Sequence, residues 1–163
     1  MRILINNELV SAQNYFKEVA RVAEKALCKR DKCGAIIVSH GIIIGKGYNA
    51  PPQDDLSNTK CSCEYPEVSR KKKSDKTCCM HAEWRAILDA LKFENNLQGS
   101  SLYFARVDEQ GNLLPSGEPY CTVCSRFALD VGISEFVLEH EDGIVAYDTK
   151  EYNDLSYKFH KGV

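Results

Sequence analysis

Apolar residues recur at three- and four-residue steps early in the chain, at Phe16, Val19, Ala20, Ala23, Ala26 and Leu27. That is the spacing of one buried helix face, and it predicts an amphipathic helix over Asn14–Lys29, capped by Ser11 or Asn14. The pattern then changes. Cys33–Ser39 and Ile42–Tyr48 are short apolar, β-branched runs, and His40-Gly41 between them suits a two-residue hairpin turn, so two antiparallel strands are expected. Helical spacing returns over Met80–Phe93, with Ala82, Ala86, Ile87, Ala90 and Leu91 on one side. Ser101–Val107 predicts a strand and Asp108–Glu118 a turn-rich excursion. Cys121–Val131 predicts a helix closed by Gly132, and Glu135–Glu139 a further strand. Ile144–Tyr147 reads as a short extended piece and Glu151–Phe159 as a short helix.

This order of elements predicts a layered α/β domain, in which the later helix crossovers make the last strand pairs parallel. Ala50–Thr77 interrupts it. That stretch holds Pro51-Pro52, Asp54-Asp55 and the basic run Arg70–Lys73, and shows little periodicity. It reads as a long insertion, at about residues 50–79, in a single domain spanning residues 1–163; no repeat and no second domain are evident.

Composition narrows the classes. With 44% hydrophobic and 27% charged residues in 163, the chain reads as a globular protein that needs no disulfide staples for its core. A formal net charge of −2 lacks the basic excess of a dedicated nucleic-acid binder. Ala35–Val38 and Ile42–Ile44 are too short to span a bilayer, and Met1–Val10 has no signal-peptide pattern, so a cytoplasmic protein without membrane contact is expected. Eight cysteines in such a setting point to metal or free thiols more than to disulfides.

Two segments carry chemistry: Cys79-Met80-His81-Ala82-Glu83 and Pro119-Tyr120-Cys121-Thr122-Val123-Cys124. A Cys-x-x-Cys pair at a helix start brings two thiolates within reach of one metal, and the helix N-terminus favours their ionised form. His81 opens a helix as well and is the natural third ligand. Catalytic zinc takes three protein ligands and leaves a fourth position for water, whose pKa it lowers to around 7. Glu83, two residues past His81, is placed beside the metal rather than on it, where a carboxylate can carry a proton from water to a ring nitrogen and a leaving amine. Cys121 and Cys124 read on their own as a structural zinc site or a redox pair, and Glu83 as a solvated helix residue. The joint presence of His-x-Glu and Cys-x-x-Cys favours catalysis.

His-x-Glu followed by Pro-Cys-x-x-Cys is the signature of zinc nucleobase deaminases. The sequence resembles the cytidine and deoxycytidylate deaminase superfamily, and within it the deoxycytidylate (dCMP) deaminase branch. Cys28–Val38, Gly45–Pro52 and Leu102–Tyr103 strengthen the resemblance, which runs from about Asn14 to about Leu138. It implies a cytidine deaminase-like three-layer α/β/α sandwich with a central mixed sheet, and Zn2+ between two helix N-termini. It also implies that Asn49 contacts bound nucleoside, and that Cys61, Cys63, Cys78 and Cys79 could close a second, structural zinc site; adjacency of Cys78 and Cys79 argues against the latter. Three features depart from the pattern. Tyr120 separates Pro119 from Cys121, Arg85 stands where Asn is usual, and Asp108–Glu118 is longer than expected.

The reading is therefore a zinc-dependent hydrolase that deaminates a free cytosine nucleotide or nucleoside, dCMP-like, and releases ammonia. Its expected assembly is a homo-oligomer. A guanidinium fork suits phosphate, so either Arg30 or Arg85 is expected to read a nucleotide phosphate, a surface salt bridge being the plain alternative for each. Arg70–Lys73 and Lys76 are what would favour transfer RNA or another nucleic acid as substrate, and a non-catalytic zinc module is the third reading. Cys28 and Cys33 read as small core residues, and Trp84 as packing on the catalytic helix.

Overall fold

The computed structural model describes residues 1–60, 79–93 and 96–159. Cys61, Cys63 and Cys78 of the expected second metal site, and the basic residues Arg70–Lys73 and Lys76, lie outside the described residues. The elements run β1 (Arg2–Ile3), α1 (Asn6–Ala23), β2 (Lys32–Ser39), β3 (Ile42–Tyr48), α2 (Ala82–Ala90), β4 (Ser101–Val107), β5 (Leu113–Leu114), α3 (Thr122–Asp130), β6 (Glu135–His140), β7 (Gly143–Asp148) and α4 (Thr149–Phe159). Two short 3-10 turns, Pro52–Asp54 and Leu56–Asn58, open the insertion. None of the described helices is long and apolar enough to cross a membrane.

One mixed sheet has the strand order β1-β7-β6-β4-β2-β3, with β5 paired to β4. Ile36, Val38, Tyr103, Ala105 and Val137 point to one face, where Ala12, Phe16 and Val19 of α1 cover them. Ala35, Ile37, Leu102, Phe136 and Leu138 point to the other, under α2, α3 and α4. The alternation of inward sets along each strand is what makes three layers of one sheet and the four described helices.

The hairpin of β2 and β3 turns at His40 and Gly41, as their spacing predicts. The crossover through α3 makes β4 and β6 parallel. β7 departs from the expectation of further parallel pairing. Only Glu141 and Asp142 separate it from β6, too few for a crossover, and the two strands pair antiparallel. Helix α1 begins at Asn6, eight residues before the predicted start, because Leu9 and Ala12 continue the buried stripe; Ser11 and Asn14 are interior to it. It also ends early. The N–H groups of Lys25 and Ala26 bond three residues back, and Leu27 donates instead to the carbonyl of Asn49.

Helix α2 lies directly on β3. A Cβ on Gly47 would stand 2.3 Å from both the Ala82 carbonyl oxygen and the Ala86 nitrogen, and one on Gly45 2.3 Å from the Ala86 carbonyl oxygen. Only glycine permits this approach. At the other end of the site, α3 closes on Gly132 (φ 85°), with Gly132 N–H donating to Leu129 O and Ile133 N–H to Ala128 O, the paired bonds of a Schellman motif. Since α2 cannot settle on β3 around a methyl group, Gly47→Ala is expected to lower the unfolding free energy by about 1–3 kcal/mol. Denaturant titration measures it, and an unchanged midpoint would contradict the packing described.

Candidate active site and metal centre

Two helix starts meet on the same side of the sheet. His81 is the residue that leads into α2, and Cys121 the one that leads into α3. Entry to α2 is fixed by a two-way backbone bridge, Met80 N–H to Ala50 O at 2.9 Å and Ala50 N–H to Met80 O at 3.4 Å. Entry to α3 is fixed by Cys121 itself, whose Sγ accepts the Cys124 N–H at 3.4 Å.

The donor atoms of His81, Cys121 and Cys124 all lie within 4.8 Å of one another. His81 Nδ1 stands 3.1 Å from Cys124 Sγ and 3.6 Å from Cys121 Sγ, and the two sulfurs are 3.0 Å apart. Zinc bonds of about 2.0–2.3 Å at tetrahedral angles separate donors by roughly 3.5–4 Å, so an ion enters with only small outward shifts. One nitrogen and two sulfurs are also the donor chemistry zinc favours. The His81 ring is held flat against Trp84, with centroids 4.4 Å apart and planes at 8°, so the packing residue of α2 also orients a ligand.

The protonation pattern suits a cation. The hydrogen bond shared with Cys124 brings Cys121 down to about 4, against burial and with help from His81. Burial pushes Cys124 well up, and the shared hydrogen bond adds to it. Burial opposes charge on His81, but the bond to Cys121 and the charge of Glu83 outweigh it and raise its pKa. Glu83, 6% exposed, is raised by burial while His81 pulls the other way.

A cavity of about 260 Å³ opens above these groups, and His81, Glu83 and Cys121 form part of its wall. Asn49 and Arg30 line it as well. The Asn49 side chain also organises that wall: Oδ1 accepts from Cys33 N–H at 2.8 Å and Nδ2 donates to Asp31 O at 2.8 Å. Arg85 is not brought to the cavity. Its guanidinium donates to Asp54 at 2.8 Å and to the Tyr48 carbonyl at 3.2 Å, and lies 4.5 Å from the Tyr48 ring centroid. The reading of Cys28 and Cys33 as core residues needs correction: both are half-buried and line the cavity, as does Cys79. Alternation on β2 turns Cys33 to the same face as Ala35 and Ile37, but at the strand end, where the core stops and the cavity begins. Sequence reasoning also missed Phe104, Ser116, Glu118 and Tyr152 in the wall. Phe104 and Leu138 were open to the same alternation argument, whereas Tyr152 belongs to a weakly patterned tail.

A layered α/β sheet with His-x-Glu at one helix start and two cysteines at the next defines a zinc-dependent hydrolytic deaminase. The family model of the cytidine and deoxycytidylate deaminase zinc-binding region matches residues 10–140. The deoxycytidylate deaminase of Mycobacterium phage D29 is 30% identical over 133 residues, covering 78% of this chain and 93% of that protein. The dCMP deaminase of cyanophage S-TIM5 in its apo form has a similar fold, with a TM-score of 0.56 at 23% identity over 81% of this chain and 82% of that one. The same enzyme in complex with dCMP and dUMP gives a TM-score of 0.56 at 22% identity, over 82% of each chain. The chain belongs to the cytidine and deoxycytidylate deaminase family, and its cofactor is zinc.

Metal analysis of protein purified without chelator is expected to find at least one zinc per chain. Cys124→Ala, which removes the most buried of the three donors, should carry about one zinc fewer. Equal metal content in the two proteins would contradict the donor set.

Proposed function

We propose that this chain deaminates a free cytosine nucleotide of the deoxycytidylate type, with His81, Cys121 and Cys124 as zinc ligands and Glu83 as proton carrier. The observation that carries the reading is the buried carboxyl of Glu83 on the wall of the cavity that His81 and Cys121 of the His81–Cys121–Cys124 cluster also line. Membership of the family, and relatives named as deoxycytidylate deaminases, support the substrate class.

Zinc held by the three donors supplies a nucleophile near neutral pH by lowering the pKa of water. The protein does the rest. Glu83 takes a proton from the attacking water and passes it to the ring nitrogen beside the amine-bearing carbon. It then helps deliver a proton to the amine. A C–O bond forms, the C–N bond breaks, ammonia leaves and a uracil nucleotide remains. Burial serves Glu83 here, because raising its proton affinity brings it nearer to that of the groups with which it exchanges protons.

The phosphate falls to Arg30 in this reading, since Arg30 lines the cavity and Arg85 is held by Asp54 and Tyr48. Arg85 instead ties the first turn of the insertion to α2. Asn49 shapes the wall that faces nucleoside and keeps one Nδ2 hydrogen beyond its bond to Asp31 O. Residues 1–163 form one deaminase domain with an insertion at about 50–79, working as a homo-oligomer in the cytoplasm.

Ammonia release from free bases, nucleosides and nucleotides tests the substrate. Cytidine-type monophosphates are expected to be preferred over nucleosides, and Arg30→Ala to lose that preference while still deaminating the nucleoside. A wild-type preference for nucleoside or base would remove the nucleotide assignment and leave the chemistry. Glu83→Ala is expected to keep zinc and fold and to lose about 10²–10⁴-fold in turnover, the usual share of a general acid–base group. Loss of zinc in that variant would make Glu83 a ligand, and full activity would leave the proton carrier elsewhere.

A further inference from the structure

Tyr152 stands on α4, beyond the segment that matches the family model. It is 5% exposed, yet it lines the catalytic cavity with His81, Glu83 and Cys121. Its ring has little freedom. It lies against Phe136 with centroids 4.1 Å apart and planes at 18°, and meets the Tyr147 ring edge-on at 6.0 Å. Its helix is tied to the metal-bearing one by the Ser125 hydroxyl, which donates to Asn153 Oδ1 at 2.9 Å. The ring is therefore fixed relative to Cys121 and Cys124, and a group so placed is pre-organised for recognition.

The phenol hydroxyl makes no hydrogen bond with any described residue. Burial first, and then the charges of Glu83, Cys124 and Cys121, hold its pKa well above 10, so it is neutral and offers a proton. The order of atoms round a cytosine ring says what could accept it. The amine-bearing carbon faces the metal cluster and the next ring nitrogen faces Glu83. The atom after that carries the ring carbonyl, and Tyr152 lines the same cavity as Glu83.

We propose that the Tyr152 hydroxyl donates a hydrogen bond to the ring carbonyl of the pyrimidine and so selects bases with an oxygen acceptor beside the attacked amidine. This rests on the cytosine-nucleotide reading above. Tyr152 touches substrate and discriminates between bases, while the proton transfers stay with Glu83.

The test compares a cytosine nucleotide with its 2-thio analogue, whose sulfur is a poor acceptor, in wild type and Tyr152→Phe. The phenylalanine keeps the packing against Phe136, and zinc content and thermal midpoint check that the variant is intact. Wild type is expected to favour the oxo compound in kcat/KM, with about tenfold of that preference due to the one neutral hydrogen bond. Tyr152→Phe should lose about tenfold on the oxo compound and little on the thio compound, so that the ratio falls accordingly. An equal loss on both, or no loss on either, would overturn the proposal, since a purely structural role moves both rates together. If wild type turns over neither compound, the cytosine-nucleotide reading itself falls, and the assignment of Tyr152 with it.

Discussion

Helix α2 rests backbone against backbone on β3, because at Gly45 and Gly47 no side chain holds it away. Everything chemical depends on that approach. β3 also carries Asn49 and Ala50 at its end, and the bridge from Ala50 to Met80 sets where α2 starts. Once the start is set, His81 and Glu83 are set as well, two residues apart on the first turn. A helix standing farther off would still bury Ala86 and Ile87 against something, but it would carry its first turn away from Cys121 and Cys124. The small side chains of α2, Ala82, Ala86 and Ala90, are the same requirement read from the helix side. Core packing and ligand geometry are here one constraint, so site precision is inherited from a rigid element and not from a loop.

The electrostatics follow from where the two helices begin. Unpaired N–H groups at a helix start favour a thiolate, and Cys121 uses its sulfur to accept one of them. Cys124, one turn into α3 and fully buried, has its thiol pushed well up by burial, and its sulfur shares a hydrogen bond with that of Cys121 at 3.0 Å. A divalent cation would displace thiol protons here, which links metal affinity to pH. Glu83 brings a carboxyl group into the same buried space, where burial raises its pKa. Such a cluster is costly without a cation and favourable with one, by the rule that buried charges must be paired or coordinated.

Much of this was legible in the sequence, for physical reasons. The hairpin, α2, α3 and the strands β4 and β6 all have strong periodicity and clear turn residues, and the ligand set has a spacing that few other chemistries need. The misreadings came from contacts that period and spacing do not encode. α1 begins at Asn6 because tertiary packing extends a stripe that local capping residues seemed to interrupt. β1 and β5, two residues each, exist only through pairing with β7 and β4. Arg85 shares a helix face with His81, four residues away, and on spacing alone either could meet substrate. Its long side chain reached Asp54 and Tyr48 first, and the hydrogen bond from Arg85, with one from Tyr48, holds the Asp54 carboxyl below its usual range. Cys28 and Cys33 were read by residue type as core, but where a strand ends, the same inward direction points into a cavity.

The motif and the pocket have different origins in the chain. The metal cluster and Glu83 come from α2 and α3, whose sequence is that of the family. Part of the wall comes instead from the excursion after β4 and from α4. The excursion after β4 is pinned along its length. Asp108 Oδ1 accepts from the N–H groups of Gln110 and Asn112, Arg106 holds the Pro115 carbonyl at 2.9 Å, and Ser116 N–H donates to Glu139 O at 2.8 Å. Those bonds return the chain over the sheet edge, so that Ser116 and Glu118 face the cavity ahead of Tyr120. The additional residue before Cys121 leaves the helix start intact, because the Cys121–Cys124 spacing and its N–H to sulfur bond do not depend on what precedes them. What it changes is the rim, where Tyr120 now stands with its ring 6.0 Å from that of Phe159 on α4. The two helix starts thus carry the His81, Cys121 and Cys124 cluster and Glu83, while the excursion and the C-terminal helix complete the cavity wall with Ser116, Glu118 and Tyr152.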